Sequence, residues 1–400
     1  MTSHRQRLWP VKLSFLALVA ADAVGVSFLP VYARDLGQVW GVLAPETAAG
    51  LPVSLFWLMV AAAQLTVPLW LPERGQRGLM RAALATVGLC LFGAALAASV
   101  EMLILCRAVA GFAYGVAMIL VQDALLRVYP PEARTEASGL YLSLFFGGTL
   151  AGTLAGGTLA AEIGYPATLA AGAALALGGL IPAHALPDAR DPRRPSIGLR
   201  PLLRNGRLLA LVLLAAIPSR LVIGAFLYYL VPLHLHDHGF KADRIGWVLM
   251  VYGLVLVLLA TPIARMIDRR NQPFTFTLLG LLGSALAMAM IPIGGGGLAV
   301  AVAAVATLGL AQALGMAPQV TLLFRATERE MAQAGRARLL GLFRVGERLG
   351  LFLGPVLAGA ALPLAGYAGT LEALTLFALL AAGGFAAAFA TARRPASSSV

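Results

Sequence analysis

Three ionisable side chains sit inside long apolar runs of this sequence: Asp22 ahead of Ala23-Val24-Gly25, Arg107 after Leu103-Ile104-Leu105-Cys106, and Arg220 ahead of Leu221-Val222-Ile223. An unpaired charge in hydrocarbon is costly, so such residues face water or one another and mark sites by default. Desolvation disfavours an ionised carboxylate and a nearby guanidinium favours it, so a movable Asp–Arg contact can take up and release a proton. That is the chemistry a proton-coupled carrier requires. The alternative is a structural ion pair that joins helices without titrating.

The elements that position these charges follow from composition. Of 400 residues, 60% are hydrophobic and 12% charged, against about 25% charged in a soluble domain. Disorder and a disulfide scaffold are both excluded, and Cys90 and Cys106 read as small core residues. About 20 mainly apolar residues cross a bilayer as a helix. Twelve such stretches are expected near 13–33, 48–70, 80–99, 103–124, 138–160, 166–186, 208–232, 245–264, 274–293, 298–321, 339–362 and 368–391. These are numbered spans 1 to 12 below. At 1.5 Å per residue, Asp22 lies roughly 15 Å deep, Arg107 roughly 8 Å from the other face and Arg220 roughly 18 Å deep. All three are expected to meet in one cavity.

The net charge of +12 has a topological cause. Among the 30 Lys and Arg, only Arg34, Lys241 and Arg244 fall outside when the N-terminus is placed in the cytoplasm, and Arg107, Arg220, Arg344 and Arg348 lie within spans. The rest occupy inside segments, as the positive-inside rule requires. Charge spread in this way, with no aromatic-laced groove, excludes nucleic acid as a partner. The expected location is the inner or plasma membrane, with both termini cytoplasmic. The first apolar segment continues into Pro30, Tyr32, Arg34 and Asp35 without a small-residue cleavage site, so a retained span is expected rather than a signal peptide.

A polar stretch at 187–207 divides the spans six and six, giving an N-terminal half at 1–186 and a C-terminal half at 208–400. Leu29-Pro30-Val31-Tyr32-Ala33-Arg34-Asp35-Leu36-Gly37 shares Pro, Asp and Gly with Val231-Pro232-Leu233-His234-Leu235-His236-Asp237-His238-Gly239, 202 residues on. Gly164-Tyr165 and Gly366-Tyr367 repeat at the same offset. Two six-helix halves joined by a cytoplasmic linker suit a secondary transporter.

With these features, nearly the whole chain resembles the major facilitator superfamily. The family's loop pattern Gly-x-x-x-Asp-Arg-x-Gly-Arg-Arg has a copy at Ala264-Arg265-Met266-Ile267-Asp268-Arg269-Arg270-Asn271. A second copy, Leu71-Pro72-Glu73-Arg74-Gly75-Gln76-Arg77-Gly78, has Pro72 where the acid is expected and Glu73 one place late. The resemblance implies gating roles for Glu73, Arg74, Asp268 and Arg269. It also implies proton coupling for the arginine of Arg107-Ala108-Val109-Ala110-Gly111, and a cavity lined by spans 1, 4, 7 and 10. That lining adds Tyr114, Tyr228, Gln312 and Gln319 to Arg220 as substrate contacts. Span 5 carries Gly139, Gly148 and Gly152 at the spacing of the exporter motif Gly-x8-Gly-Pro-x-x-Gly-Gly, with Thr149 for its proline and Thr153 for its last glycine; Gly156 follows, and Gly354-Pro355 appears in span 11. The same glycines also form a small-xxx-small packing stripe.

Arg344, Glu347 and Arg348 stand at i, i+3 and i+4, where one carboxylate reaches two guanidinium groups, and a structural clamp is expected. His234, His236, His238 and Asp237 are expected to form an interfacial loop rather than a metal site. No His-Glu-x-x-His, phosphate-binding loop or nucleophile elbow is present, so neither an enzyme nor a cofactor is expected.

The resulting expectation is an all-α membrane protein of twelve helices, acting as a monomer in the bilayer and exporting a small-molecule substrate in exchange for protons. Asp22 would bind the proton, Arg107 tune it and Arg220 contribute to the cavity. Two arginines against one acid make that cavity net positive, which argues against multivalent cations. Proton-coupled uptake of an anionic or sugar-like metabolite is the second transport reading, and a ligand sensor that moves nothing is the reading from another class.

Overall fold

A computed structural model of the chain describes residues 8–70, 75–129, 134–185, 205–328 and 336–390. Lipid offers the backbone no hydrogen-bond partners, so apolar runs of this length satisfy their N–H and C=O groups as helices. Among the described residues, ten helices are long and apolar enough to cross a membrane. The last of them, Leu339–Phe389, holds two spans that meet at Gly366 (φ 64°, ψ −174°). Span 1 is broken into Trp9–Ala23 and Leu29–Asp35, each too short to be counted among the ten. Among the described residues the total is therefore twelve, and each apolar stretch expected from the sequence is helical over most of its length. Polar interruptions in spans 4 and 5 do not break them: Val100–Val128 and Arg134–Ile163 are continuous.

Span 1 breaks immediately after Asp22. Pro30 has no N–H to offer four residues back, and 24–28 close instead through tight turns, with Phe28 N donating to Gly25 O at 3.1 Å. Span 7 stays helical from Gly206 to Asp237 but widens into π turns at Val212–Ala216 and Ile223–Leu230, on either side of Arg220. Such bulges recur where a helix serves a site.

The internal repeat is structural. Leu29–Asp35 and Val231–Asp237 are both seven-residue helices with proline in the first turn. Gly164 (φ 82°) and Gly366 (φ 64°) both occupy the left-handed region that favours glycine. The glycine stripes repeat as well: a Cβ on Gly152 would lie 2.2 Å from the Ala20 carbonyl oxygen, and one on Gly354 would lie 2.4 Å from that of Leu221. These glycines therefore let spans 5 and 11 approach spans 1 and 7 at backbone distance. Gly152→Ala or Gly354→Ala is expected to cost about 1–3 kcal/mol through forced backbone shifts. Gly139→Ala, with nothing within 4 Å of the added atom, is expected to leave the melting temperature of the detergent-solubilised protein unchanged or raised. Thermal unfolding of the three variants side by side checks both expectations.

Two compact units emerge: Met1–Arg194 with Tyr228–Gly253, and Pro195–Leu227 with Leu254–Val400. The second is built on a core that includes Leu208, Leu211, Leu323, Phe343 and Phe385.

Candidate functional site

In the first unit, Asp22 at the end of the first helical segment meets Arg107 from span 4. Arg107 Nη1 donates to Asp22 Oδ1 at 2.6 Å, and the two side chains are 8% and 13% exposed. The pair is thus almost wholly withdrawn from solvent and lipid. The Arg107 guanidinium carbon also sits 4.2 Å from the centroid of the Phe56 ring, a cation–π contact that holds the group in place. Its Nε is buried with no hydrogen-bond partner, so one donor of the fork is uncommitted.

The pair lies in the wall of a cavity. Its remaining lining is largely aromatic, with Phe56, Trp57, Tyr114, Phe145 and Tyr228. Tyr114 packs on Phe56 with ring centroids 5.3 Å apart. Of the substrate and proton-coupling residues expected from the sequence, Asp22, Arg107, Tyr114 and Tyr228 share this one cavity. Phe56, Trp57 and Phe145 were not among them, because an aromatic residue in an apolar run carries no sequence signal separating a cavity wall from core. Thr149, the departure from the exporter motif, also lines the cavity, and its hydroxyl donates to the Phe145 carbonyl at 2.8 Å. Such i−4 back-bonding bends helices, a task the motif assigns to proline.

Gly148, Gly152 and Gly156 of span 5 face the backbone from Val19 to Val24, which carries Asp22. A Cβ on Gly148 would lie 2.9 Å from the Val19 side chain. The stripe therefore fixes the segment that presents the carboxylate. Gly354 does the same for span 7 in the second unit, where Pro355 also approaches Gly224.

Arg220, Gln312 and Gln319 belong to the second unit. Arg220 is held by Glu347, with Nη2 at 2.5 Å and Nε at 3.0 Å from the same carboxylate oxygen. The other oxygen of Glu347 accepts from Arg344 at 3.2 Å. The expected clamp on span 11 therefore reaches across to span 7, and counting two arginines against one acid was incorrect: Arg220 has its own buried counter-ion, so the argument against cationic solutes lapses. Gln312 is almost fully buried, accepting from Ser219 Oγ at 3.0 Å and donating to Ser284 Oγ at 3.3 Å. Gln319 is likewise buried.

Of the expected gating residues, Glu73 and Arg74 lie outside the described residues, as does the Asp268 side chain. Arg269 is exposed in the last turn of the helix Ala242–Arg270. Beside the first-half loop, Asp123 accepts from Gln76 and, at 2.8 Å, from Arg127 Nε, tying span 3 to span 4. At the opposite span ends the histidine cluster has an unexpected partner. Arg34 at the end of span 1 donates to both carboxylate oxygens of Asp237 at 3.0 and 2.6 Å and lies 3.2 Å from His236 Nδ1. Tyr229 adds a 2.5 Å hydrogen bond to the Glu46 carbonyl. The two repeated Pro-x6-Gly segments thus grip one another, which no local pattern in either segment foretells.

Comparison with known proteins places this geometry in context. The family model described as Major Facilitator Superfamily matches residues 13–335 and 212–400. An uncharacterized MFS-type transporter, YtbD of Bacillus subtilis (strain 168), is 24% identical over 371 residues, covering 89% of each chain. Among solved structures, the nucleoside transporter NupG aligns with TM-score 0.74 at 16% identity over 95% of this chain and 99% of its own. A bacterial homologue of the human lysosomal transporter Spinster aligns with TM-score 0.73 at 16% identity over 98% and 99%. The human organic anion transporter MFSD10 aligns with TM-score 0.65 at 20% identity over 96% and 99%. At these identities the likeness is one of fold.

Proposed function

The chain belongs to the Major Facilitator Superfamily, and from that premise we propose that it exports a small organic molecule by alternating access, in exchange for protons. It is a multi-pass membrane transporter and not an enzyme. The observation that carries the proposal is the Asp22–Arg107 pair, 2.6 Å long and set in the wall of an aromatic cavity beside the break in span 1. A proton on Asp22 removes the charge that holds Arg107 Nη1. The guanidinium, still seated on Phe56, then turns more of its donors to the cavity. A cationic or hydrogen-bond-donating solute that pairs with the Asp22 carboxylate competes with that proton, so the two exclude one another, and that linkage is the exchange coupling. The aromatic walls suit a planar or amphipathic solute, and within this cavity the one acid and one guanidinium cancel.

In the same reading the halves are 1–186 and 208–400 about a cytoplasmic linker at 187–207. The transporter works as a monomer in the inner or plasma membrane, with both termini in the cytoplasm. Glu73, Arg74, Asp268 and Arg269 serve the inner gates. Proton-coupled uptake of an anionic metabolite is favoured instead by one feature, the surplus of guanidinium groups from Arg220, Arg344 and Arg348 around the single carboxylate of Glu347.

Everted vesicles distinguish the two directions. Solutes are first screened for thermal stabilisation of the purified protein. Export predicts that a stabilising solute, added to energised everted vesicles, enters the lumen as protons leave it. Accumulation of the solute by whole cells on an inward proton gradient would refute export.

A further inference from the structure

The second unit carries a cleft at one end of its spans, away from the Arg220–Glu347 cluster in sequence and unconnected with any role above. Arg207 from the start of span 7 and Arg325 from the end of span 10 line it, with Asn271, Phe274, Leu322 and Phe389. Both arginines are positioned by neutral amides. Asn205 accepts from the Arg207 backbone N–H at 3.0 Å and donates to the Ala326 carbonyl at 2.9 Å, which fixes the start of span 7 against the end of span 10. Arg325 Nη2 donates to Asn271 Oδ1 at 2.5 Å. Among the described residues no carboxylate pairs with either guanidinium, so within that set two positive charges converge without a counter-ion. The helix Pro273–Gly294 begins at the cleft with no side-chain cap, adding the partial positive charge of its N-terminus.

The wall is not that of a site for a small soluble anion. Phe274 stacks on Phe385 at 5.4 Å, and Phe385 packs on Phe389 at 4.7 Å, so an aromatic cluster backs the two charges at the ends of membrane spans. Basic pockets between span ends recognise lipid headgroups in this way, charge taking the phosphate and apolar surface taking the glycerol and the acyl chains. We propose that this cleft binds an anionic glycerophospholipid, with its phosphate between Arg207 and Arg325 and its glycerol and upper chains against Phe274, Leu322 and Phe389. The site is independent of the transported solute and of proton coupling.

The test uses the full chain in detergent, with phosphatidylglycerol, phosphatidylcholine of the same chains, and inorganic phosphate as separate probes. Lipid retention is read by native mass spectrometry and stabilisation by thermal unfolding. Phosphatidylglycerol is expected to be retained and to raise the melting temperature, and phosphatidylcholine to do so far less. The double variant Arg207→Gln/Arg325→Gln, at two exposed positions, is expected to lower phosphatidylglycerol retention roughly tenfold or more. Arg81→Gln, an exposed arginine of the other unit, is expected to change nothing. Equal loss in Arg81→Gln would mean diffuse attraction to a basic surface and would overturn the site. Inorganic phosphate matching the effect of the lipid, or unchanged retention in the double variant, would overturn it as well.

Discussion

Asp22→Asn is expected to uncouple the transporter from the proton gradient while leaving it able to equilibrate its solute. At one proton per solute, a pH difference of one unit contributes about 1.4 kcal/mol and sustains roughly a tenfold solute gradient. In proteoliposomes the variant is expected to bring that ratio down to about one, with downhill exchange retained. Asparagine still accepts from Arg107 Nη1, but it leaves a guanidinium that is 7% exposed without its counter-charge. Breaking a buried pair from one side costs about 3–5 kcal/mol, so the melting temperature should fall as well. Arg107→Gln added to Asp22→Asn removes the stranded charge and is expected to recover much of the stability but none of the coupling. Recovery of stability without coupling separates a proton switch from a structural bond, since a purely structural pair would leave gradient-driven accumulation intact.

The second large effect is expected at Glu347. Its carboxylate, 4% exposed, holds Arg220 of span 7 and Arg344 of its own helix. Glu347→Gln leaves these guanidinium groups facing one another with no anion between them, and a loss of about 3–5 kcal/mol follows from the stranded charge. Arg220→Gln alone costs less, because Arg344 still neutralises Glu347. The double variant Arg220→Gln/Glu347→Gln should be more stable than Glu347→Gln by itself, since replacing both partners of a buried pair is often nearly neutral. A double-mutant cycle on melting temperatures measures this coupling. Additive losses would mean that the two side chains do not stabilise each other.

Hydropathy alone located every span, because lipid forces a long apolar run to be a helix whatever its neighbours do. The repeat was also legible, since a proline in a first helical turn and a glycine in the left-handed region are backbone requirements that only those residue types meet. Depth counted along each helix is enough to bring Asp22 and Arg107 within reach of each other. What was not legible depended on rotation and approach between distant segments. Helical spacing pairs Glu347 with its near neighbours Arg344 and Arg348, whereas its shortest contact is with Arg220, 127 residues away. The grip of Arg34 on Asp237 and His236 likewise joins positions more than 200 residues apart. The π turns flanking Arg220 leave no mark in composition, because the same residues form an α-helix equally well. The aromatic wall of the cavity was hidden for the reason that Phe56 and Phe145 fill a core as readily as they line a chamber.

At the centre of the proposed cycle, Asp22 gains and loses a proton as its contact with Arg107 opens and closes. Infrared difference spectroscopy of the purified transporter reads this without any solute, through the carboxylic acid C=O stretch that appears on acidification. The wild type should show a protonation band that is missing in Asp22→Asn. Identical difference spectra from the wild type and Asp22→Asn would contradict the account.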